Sequence, residues 1–209
     1  RGLTVILVSH NIALLQATVN RIAVMKSGKI LDLFNPRKIK MSELNPYTKA
    51  LFDSLKNIKQ HLPADKSQET LPIIPLVEMK NIEKSYASRI LQRSGNFSLS
   101  NINLEIFQGE VVGFLGESGS GKSTLASIIT KLVMPNKGSY KYKGQNVFAF
   151  NRTDISKFKS DVQMVFQDPY GSLNPRYRIR TAISEALSIH KPSLPKSLRE
   201  EKIVQLLSD

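Results

Sequence analysis

The stretch Gly116-Glu117-Ser118-Gly119-Ser120-Gly121-Lys122-Ser123-Thr124 carries the clearest chemistry in this 209-residue chain. Its pattern is G-x-x-x-x-G-K-S, set after a short apolar run and ahead of a helical one, the context a phosphate-binding loop requires. Glycines let the backbone turn so that successive N–H groups point inward at phosphate oxygens. A helix starting near Gly121 adds the equivalent of about half a positive charge at that end. Lys122 supplies a mobile cation for the β- and γ-phosphates, and the Ser123 hydroxyl is a hard oxygen ligand suited to Mg²⁺.

Three further side chains could act on the same ligand. Tyr86 closes the run Val77–Ser85, where an aromatic ring could stack on a nucleobase, a contact worth about 1–3 kcal/mol; on its own it reads more readily as an ordinary strand-end tyrosine. Gln167 follows Val162-Gln163-Met164-Val165-Phe166 and precedes Asp168-Pro169. Its amide oxygen could coordinate Mg²⁺ or orient a water; without the loop upstream it would be a solvated glutamine. His10 ends the bare apolar run Leu3-Thr4-Val5-Ile6-Leu7-Val8 and Ser9, and a polar tip on a buried strand is where sites form. Alone, a strand-end histidine is more often structural.

The elements that must position these residues can be read from periodicity. Residues 3–9 form a continuous apolar run, which predicts a strand buried on both faces. Helical spacing at Ile12, Leu15 and Val19 follows. Arg21–Ser27 and Lys29–Phe34 read as a hairpin around Gly28, and Tyr47–Leu55 as a short helix after Pro46. Residues 56–75 are polar, contain three prolines and hold no period, as in a linker. A second unit then begins, with strands at Leu76–Ser85, Ser98–Phe107 and Glu110–Leu115 and a helix from about Lys122 to Leu132. Gly138–Tyr142 and Gln145–Phe148 predict a hairpin, Asp154–Lys159 a turn or two of helix, Asp161–Phe166 a strand and Ile179–Ile189 a helix. Leu198–Leu207 has apolar spacing at Ile203, Leu206 and Leu207.

Composition narrows the class. The chain has no cysteine, so disulfides and thiolate metal sites are impossible and a reducing compartment is the natural reading. No apolar run approaches the roughly 20 residues that cross a bilayer. The net charge of +13 comes from Lys and Arg spread along the whole length, not from a dense block interleaved with aromatics. No nucleic-acid partner is expected; a basic face toward anionic lipid or phosphate ligands would look the same.

Tyr86, the Gly116–Thr124 loop and Gln167, in this order and at these separations, resemble the ATPase subunits of ABC transporters. Gln167-Asp168-Pro169-Tyr170-Gly171-Ser172-Leu173-Asn174-Pro175-Arg176 is similar to the dipeptide, oligopeptide and nickel importers of that family. The resemblance covers residues 76–191 well. Thr4–His10 looks like the switch-histidine strand near the end of such an ATPase, and Arg21–Ile30 like the hairpin that follows it. Asn45-Pro46-Tyr47-Thr48-Lys49-Ala50-Leu51 resembles the His-Pro-Tyr-Thr-Arg-Ala-Leu segment of the importers. Asn11 and Asn45 depart from the family's usual Asp and His. No Leu-Ser-Gly-Gly-Gln signature occurs, and no apolar strand ending in Asp-Glu, the Walker B element, follows Gln167.

The resemblance implies an α/β fold: a partial P-loop NTPase core of the ABC ATPase type with an antiparallel β subdomain. It implies ATP and Mg²⁺ as ligands, with Tyr86 and residues 116–124 binding nucleotide, Ser123 and Gln167 holding the metal, and His10 and Gln167 catalytic. The expected function is ATP hydrolysis coupled to uptake of peptides or nickel; a tandem ABC ATPase acting on ribosomes or DNA is the alternative. Expected partners are a second ABC ATPase domain and permease subunits reached through Asp168–Arg176, at the cytoplasmic face of the plasma (inner) membrane. The chain reads as the end of one ATPase domain (1–55), a linker (56–75) and the first half of a second (76–209), a window on a tandem polypeptide. In ATPases of this type the switch-histidine strand lies beside the phosphate-loop strand. In this window, where Leu3–Ser9 lacks the partners of its own domain, it is therefore expected to pair in parallel with Glu110–Leu115, which would bring His10 to the phosphate end of the loop; in the whole protein each strand would have its own domain.

Overall fold

Val111–Leu115 is an apolar run that needs partners on both edges, and residues from the far end of the chain supply them. The computed structural model describes residues 3–53, 74–86, 98–166, 176–191 and 193–208. In chain order the elements are β1 (Val5–Ser9), α1 (Ile12–Thr18), β2 (Arg21–Lys26), β3 (Lys29–Phe34), α2 (Pro46–Asp53), β4 (Val77–Ser85), β5 (Ser98–Ile106), β6 (Val111–Leu115), α3 (Lys122–Ile129), β7 (Lys137–Tyr142), β8 (Gln145–Asn146), α4 (Arg152–Asp161), α5 (Ile179–His190) and α6 (Lys196–Ser208). They fall into two compact units, Arg1–Asn151 and Arg152–Asp209.

In the first unit, β6 lies between β1 and β2 and runs parallel to both, giving the order β1-β6-β2-β3. Val5 pairs with Val111 and Ser9 with Leu115, so the expected parallel pairing is present in this register. The β1 strand is shorter and more open than its sequence suggests. It begins at Val5, is half-buried and leaves Val8 38% exposed. As the outer strand of the sheet it has a ladder partner on one edge only, which accounts for the exposure.

Ile12, Leu15 and Val19 of the α1 segment pack with Ile22, Val24, Phe52 and Leu115 in one buried cluster. Asn11 caps α1, its Oδ1 accepting from the Leu14 N–H at 3.1 Å. At the base of the sheet, Arg21 is held by the buried Glu110 carboxylate, with Nη2–Oε2 at 2.9 Å. A second sheet, β5-β4-β7-β8, is antiparallel throughout. It buries Val77, Met79, Ile82, Leu99, Ile102, Leu104, Ile106, Tyr140 and Tyr142, which is the alternation read from the sequence.

Differences from expectation have physical causes. The helix α3 stops at Ile129, because Thr130 leaves helical geometry and Lys131 turns to φ 57°. In the second unit α4 starts at Arg152 and runs to Asp161, longer than the turn or two expected. Asp161–Phe166, expected as a strand, is not one: Asp161 ends α4, and Val165 is 89% exposed. A largely apolar run becomes a strand only beside a neighbour, and among the described residues none pairs with it. Along α6 only Ile203 is buried, while Leu206 and Leu207 are exposed. The expected linker lies almost wholly outside the described residues.

Candidate functional site

The phosphate-type loop is built between β6 and α3. Leu115 ends the strand in the core, Gly119 (φ 78°) and Gly121 (φ 103°) take backbone conformations that favour glycine, and Lys122 opens the helix. Gly116 is required for another reason. A Cβ there would overlap the Met25 carbonyl oxygen at the end of β2 and press on Ser120 Oγ at 2.8 Å. Ser120 is buried, whereas Glu117, Ser118, Gly119 and Ser123 are exposed on the outer side of the loop. Thr124 is half-buried on the first turn of α3.

Lys122 folds back over the loop that precedes it. Its Nζ donates to the Gly116 carbonyl at 2.8 Å, the Glu117 carbonyl at 2.7 Å and Ser120 Oγ at 3.3 Å. Burial lowers its pKa below the ordinary 10.5. An ammonium resting on neutral carbonyls at a helix start can turn to an anion without leaving the loop. The donor set fits a nucleotide phosphate with Mg²⁺: a cation, a free-standing serine hydroxyl at position 123, and glycine-shaped backbone.

His10 follows the last pair of the β1–β6 ladder, Ser9 with Leu115, and its side chain is exposed. Tyr86 stands one residue past β4 with 45% of its surface exposed, and Lys84 Nζ lies 5.1 Å from its ring centroid. Gln167 lies outside the described residues, as do residues 168–175 of the expected permease loop. Among the described residues no cluster of three or more His, Cys, Asp or Glu side chains could hold a metal ion.

The sequence reading missed how closely residues 25–47 support the loop. Gly28 adopts φ 75°, and a Cβ there would overlap the Ser98 carbonyl oxygen. Its N–H donates to the Ser120 carbonyl at 3.1 Å, and its carbonyl accepts from the Ser100 N–H at 2.9 Å. One residue therefore ties the phosphate loop to the second sheet. Its only sequence signal was a glycine in a hairpin turn. Tyr47 at the start of α2 also approaches the loop, beside Glu117.

Comparison with known proteins agrees with this architecture. A family model described as ABC transporter matches residues 99–208. YejF of Escherichia coli (strain K12), named as an uncharacterized ABC transporter ATP-binding protein, is 30% identical over 97% of this chain and 38% of its own length. The oligopeptide transport ATP-binding protein OppF of Streptococcus mutans is 36% identical over 63% of this chain and 42% of its own. The nickel import ATP-binding protein NikE of Brucella abortus is 38% identical, over 63% of this chain and 50% of its own. The chain thus spans half or less of the length of each of these relatives. A solved dimeric ATP-binding cassette in a post-hydrolysis state, bound to ADP and Pi, matches with a TM-score of 0.52 and 27% identity, covering 63% of this chain and 56% of that one. Strand, glycine loop and helix stand in the order that a partial P-loop NTPase core of the ABC ATPase type requires, and the chain belongs to the ABC transporter family.

Proposed function

We propose that this chain carries part of the ATP-binding machinery of an ABC importer whose ATP hydrolysis drives uptake of peptides or nickel through a membrane permease. The observation that carries the reading is Lys122 poised on the Gly116 and Glu117 carbonyls at the mouth of a strand–glycine-loop–helix unit. Lys122 and the loop amides of residues 116–124 bind the β- and γ-phosphates, Ser123 and Gln167 hold Mg²⁺, and Tyr86 stacks on the base. Bound Mg²⁺ would neutralise phosphate charge. His10 hydrogen-bonds the γ-phosphate side of the ligand.

The names of the oligopeptide and nickel relatives support the substrate class. In this reading residues 1–55 end one ATPase domain, 56–75 link, and 76–209 begin a second. Residues 168–176 meet the permease at the cytoplasmic face of the membrane. Among the described residues no helix is long and apolar enough to cross a membrane, which suits a peripheral subunit.

A signature motif and a Walker B glutamate are both absent from the sequence, and a positioned base contributes about 10²–10⁴-fold to rate. The 209-residue chain is therefore expected to bind MgATP weakly and to turn over essentially none. Binding is measured with a fluorescent ATP analogue, and turnover by phosphate release. Steady-state hydrolysis that disappears in Lys122→Ala would defeat the incomplete-site reading, and no binding at all would defeat the nucleotide assignment.

A further inference from the structure

Residues 3–53 hold a core of their own. Ile12, Leu15, Val19, Ile22, Val24 and Phe52 form a buried cluster to which the rest of the chain adds one fully buried side chain, Leu115. The strands of this segment nevertheless leave a gap. Strands β1 and β2 lie on opposite edges of β6 and run parallel to it, so between them they form a slot one strand wide.

The strand that fills the slot is latched at its start. The Glu110 side chain is out of solvent and accepts from Arg21 Nε, from Arg21 Nη2 at 2.9 Å and from the Phe107 N–H at 3.0 Å. Arg21 also donates to the Glu105 carbonyl, and its guanidinium lies 5.6 Å from the Phe107 ring centroid. Beside it, the Asn20 N–H donates to the Val111 carbonyl, and Asn20 Oδ1 accepts from the Val111 N–H, each at 2.7 Å. On the other edge, the Val5 N–H donates to the Glu110 carbonyl at 2.9 Å. Such a latch fixes register, because any other alignment leaves a buried charge alone. It asks its occupant for an acid immediately before an apolar strand, and β6 meets that requirement.

These ties join residues 5–28 to residues 98–120, and none of them depends on the covalent path between the two segments. The same contacts therefore form between two copies as within one. Only effective concentration separates the two arrangements, and a join of about 20 residues sets it on the mM scale. We propose that the slot also takes a second copy of this chain: β6 of each copy inserts between β1 and β2 of the other. Met25 and Gly28 of one copy then support the Gly116–Ser120 turn of the other, by the contacts they make within one chain. The exchange stands apart from the ATP reading; only its bearing on nucleotide rests on residues 116–124 being the phosphate site.

Charge reversal at the latch tests this. Arg21→Glu and Glu110→Arg each set like charges against one another within a chain, and each alone is expected to unfold about 10 °C or more below wild type. In a reciprocal exchange between the two variants, both latches regain one carboxylate and one guanidinium. Refolded together at about 1 mM, they are expected to yield a soluble product of twice the chain mass by light scattering, with most of the lost unfolding temperature recovered. A variant that does not fold alone serves equally, since the mixture must then rescue it. A mixture that gives no such dimer overturns the proposal. Wild-type chain refolded at about 1 mM should likewise show a dimer that is absent after refolding at about 1 µM, and monomer alone at both overturns it too. Titration of the wild-type dimer with MgATP separates the two readings: a dimer that binds none overturns the phosphate-site reading and leaves the exchange standing.

Discussion

Lys122 spends its ionised state partly buried on backbone carbonyls, and that has a pH signature. Its pKa is lowered by burial, so between that lowered value and the ordinary 10.5 the unfolded chain holds more protons than the folded one. Stability conferred by Lys122 therefore rises with pH through that window. Against Lys122→Met, wild-type protein should gain in relative stability between pH 7 and pH 10 in urea unfolding. The gain should be small, because the side chain is partly exposed. In the same variant MgATP affinity should fall about 10- to 100-fold, as expected for the loss of a charged hydrogen-bonding group. A relative stability that fell with pH would show that the ammonium is not desolvated.

What was legible at this scale were residues whose type is forced by backbone conformation, Gly119 and Gly121, with Lys122 and Ser123 read from the pattern beside them. At the two departures from the family's residues, the Asn11 and Asn45 side-chain oxygens each accept a backbone N–H, from Leu14 and from Tyr47. Tyr47 was legible as part of a helix and of the importer-like segment 45–51, but nothing in that spacing tells that it lies beside a loop some 70 residues on.

Among elements, the β2–β3 hairpin does more than pair strands. Its turn residue Gly28 and the β7–β8 turn residue Gly144 have nearly the same φ, 75° and 76°. A Cβ at Gly144 meets nothing within 4 Å, whereas one at Gly28 overlaps the Ser98 backbone. Gly144→Ala should then cost about 1 kcal/mol from conformation alone. Gly28→Ala should cost about 2 kcal/mol or more, since backbone must move as well. Equal losses for the two in urea unfolding would rule out the close approach. Amphipathic β4 and β5 could be read because alternation is local to a strand. The absence of a strand at Asp161–Phe166 could not, because its apolar residues suit a strand and the missing ingredient is a neighbour. Likewise, a backbone-to-backbone tie such as Gly28 to Ser120 leaves no mark on side-chain pattern.

Across the whole first unit, one feature stands apart from local rules: the strand that completes the parallel sheet is remote in sequence from both of its neighbours. Val5 pairs with Val111, and Arg21 with Val112. The sheet β4-β5-β7 closes over shorter separations. Hydrogen-exchange pulse labelling during refolding should accordingly show amides of β1, β2 and β6 gaining protection together, later than those of β4, β5 and β7. Early protection of β1 and β2 alone would contradict it. The consequence reaches refolding of this chain. Until β6 docks, β1 and β2 have apolar strand edges open to a second copy, so the yield of refolded protein should fall as its concentration during refolding is raised.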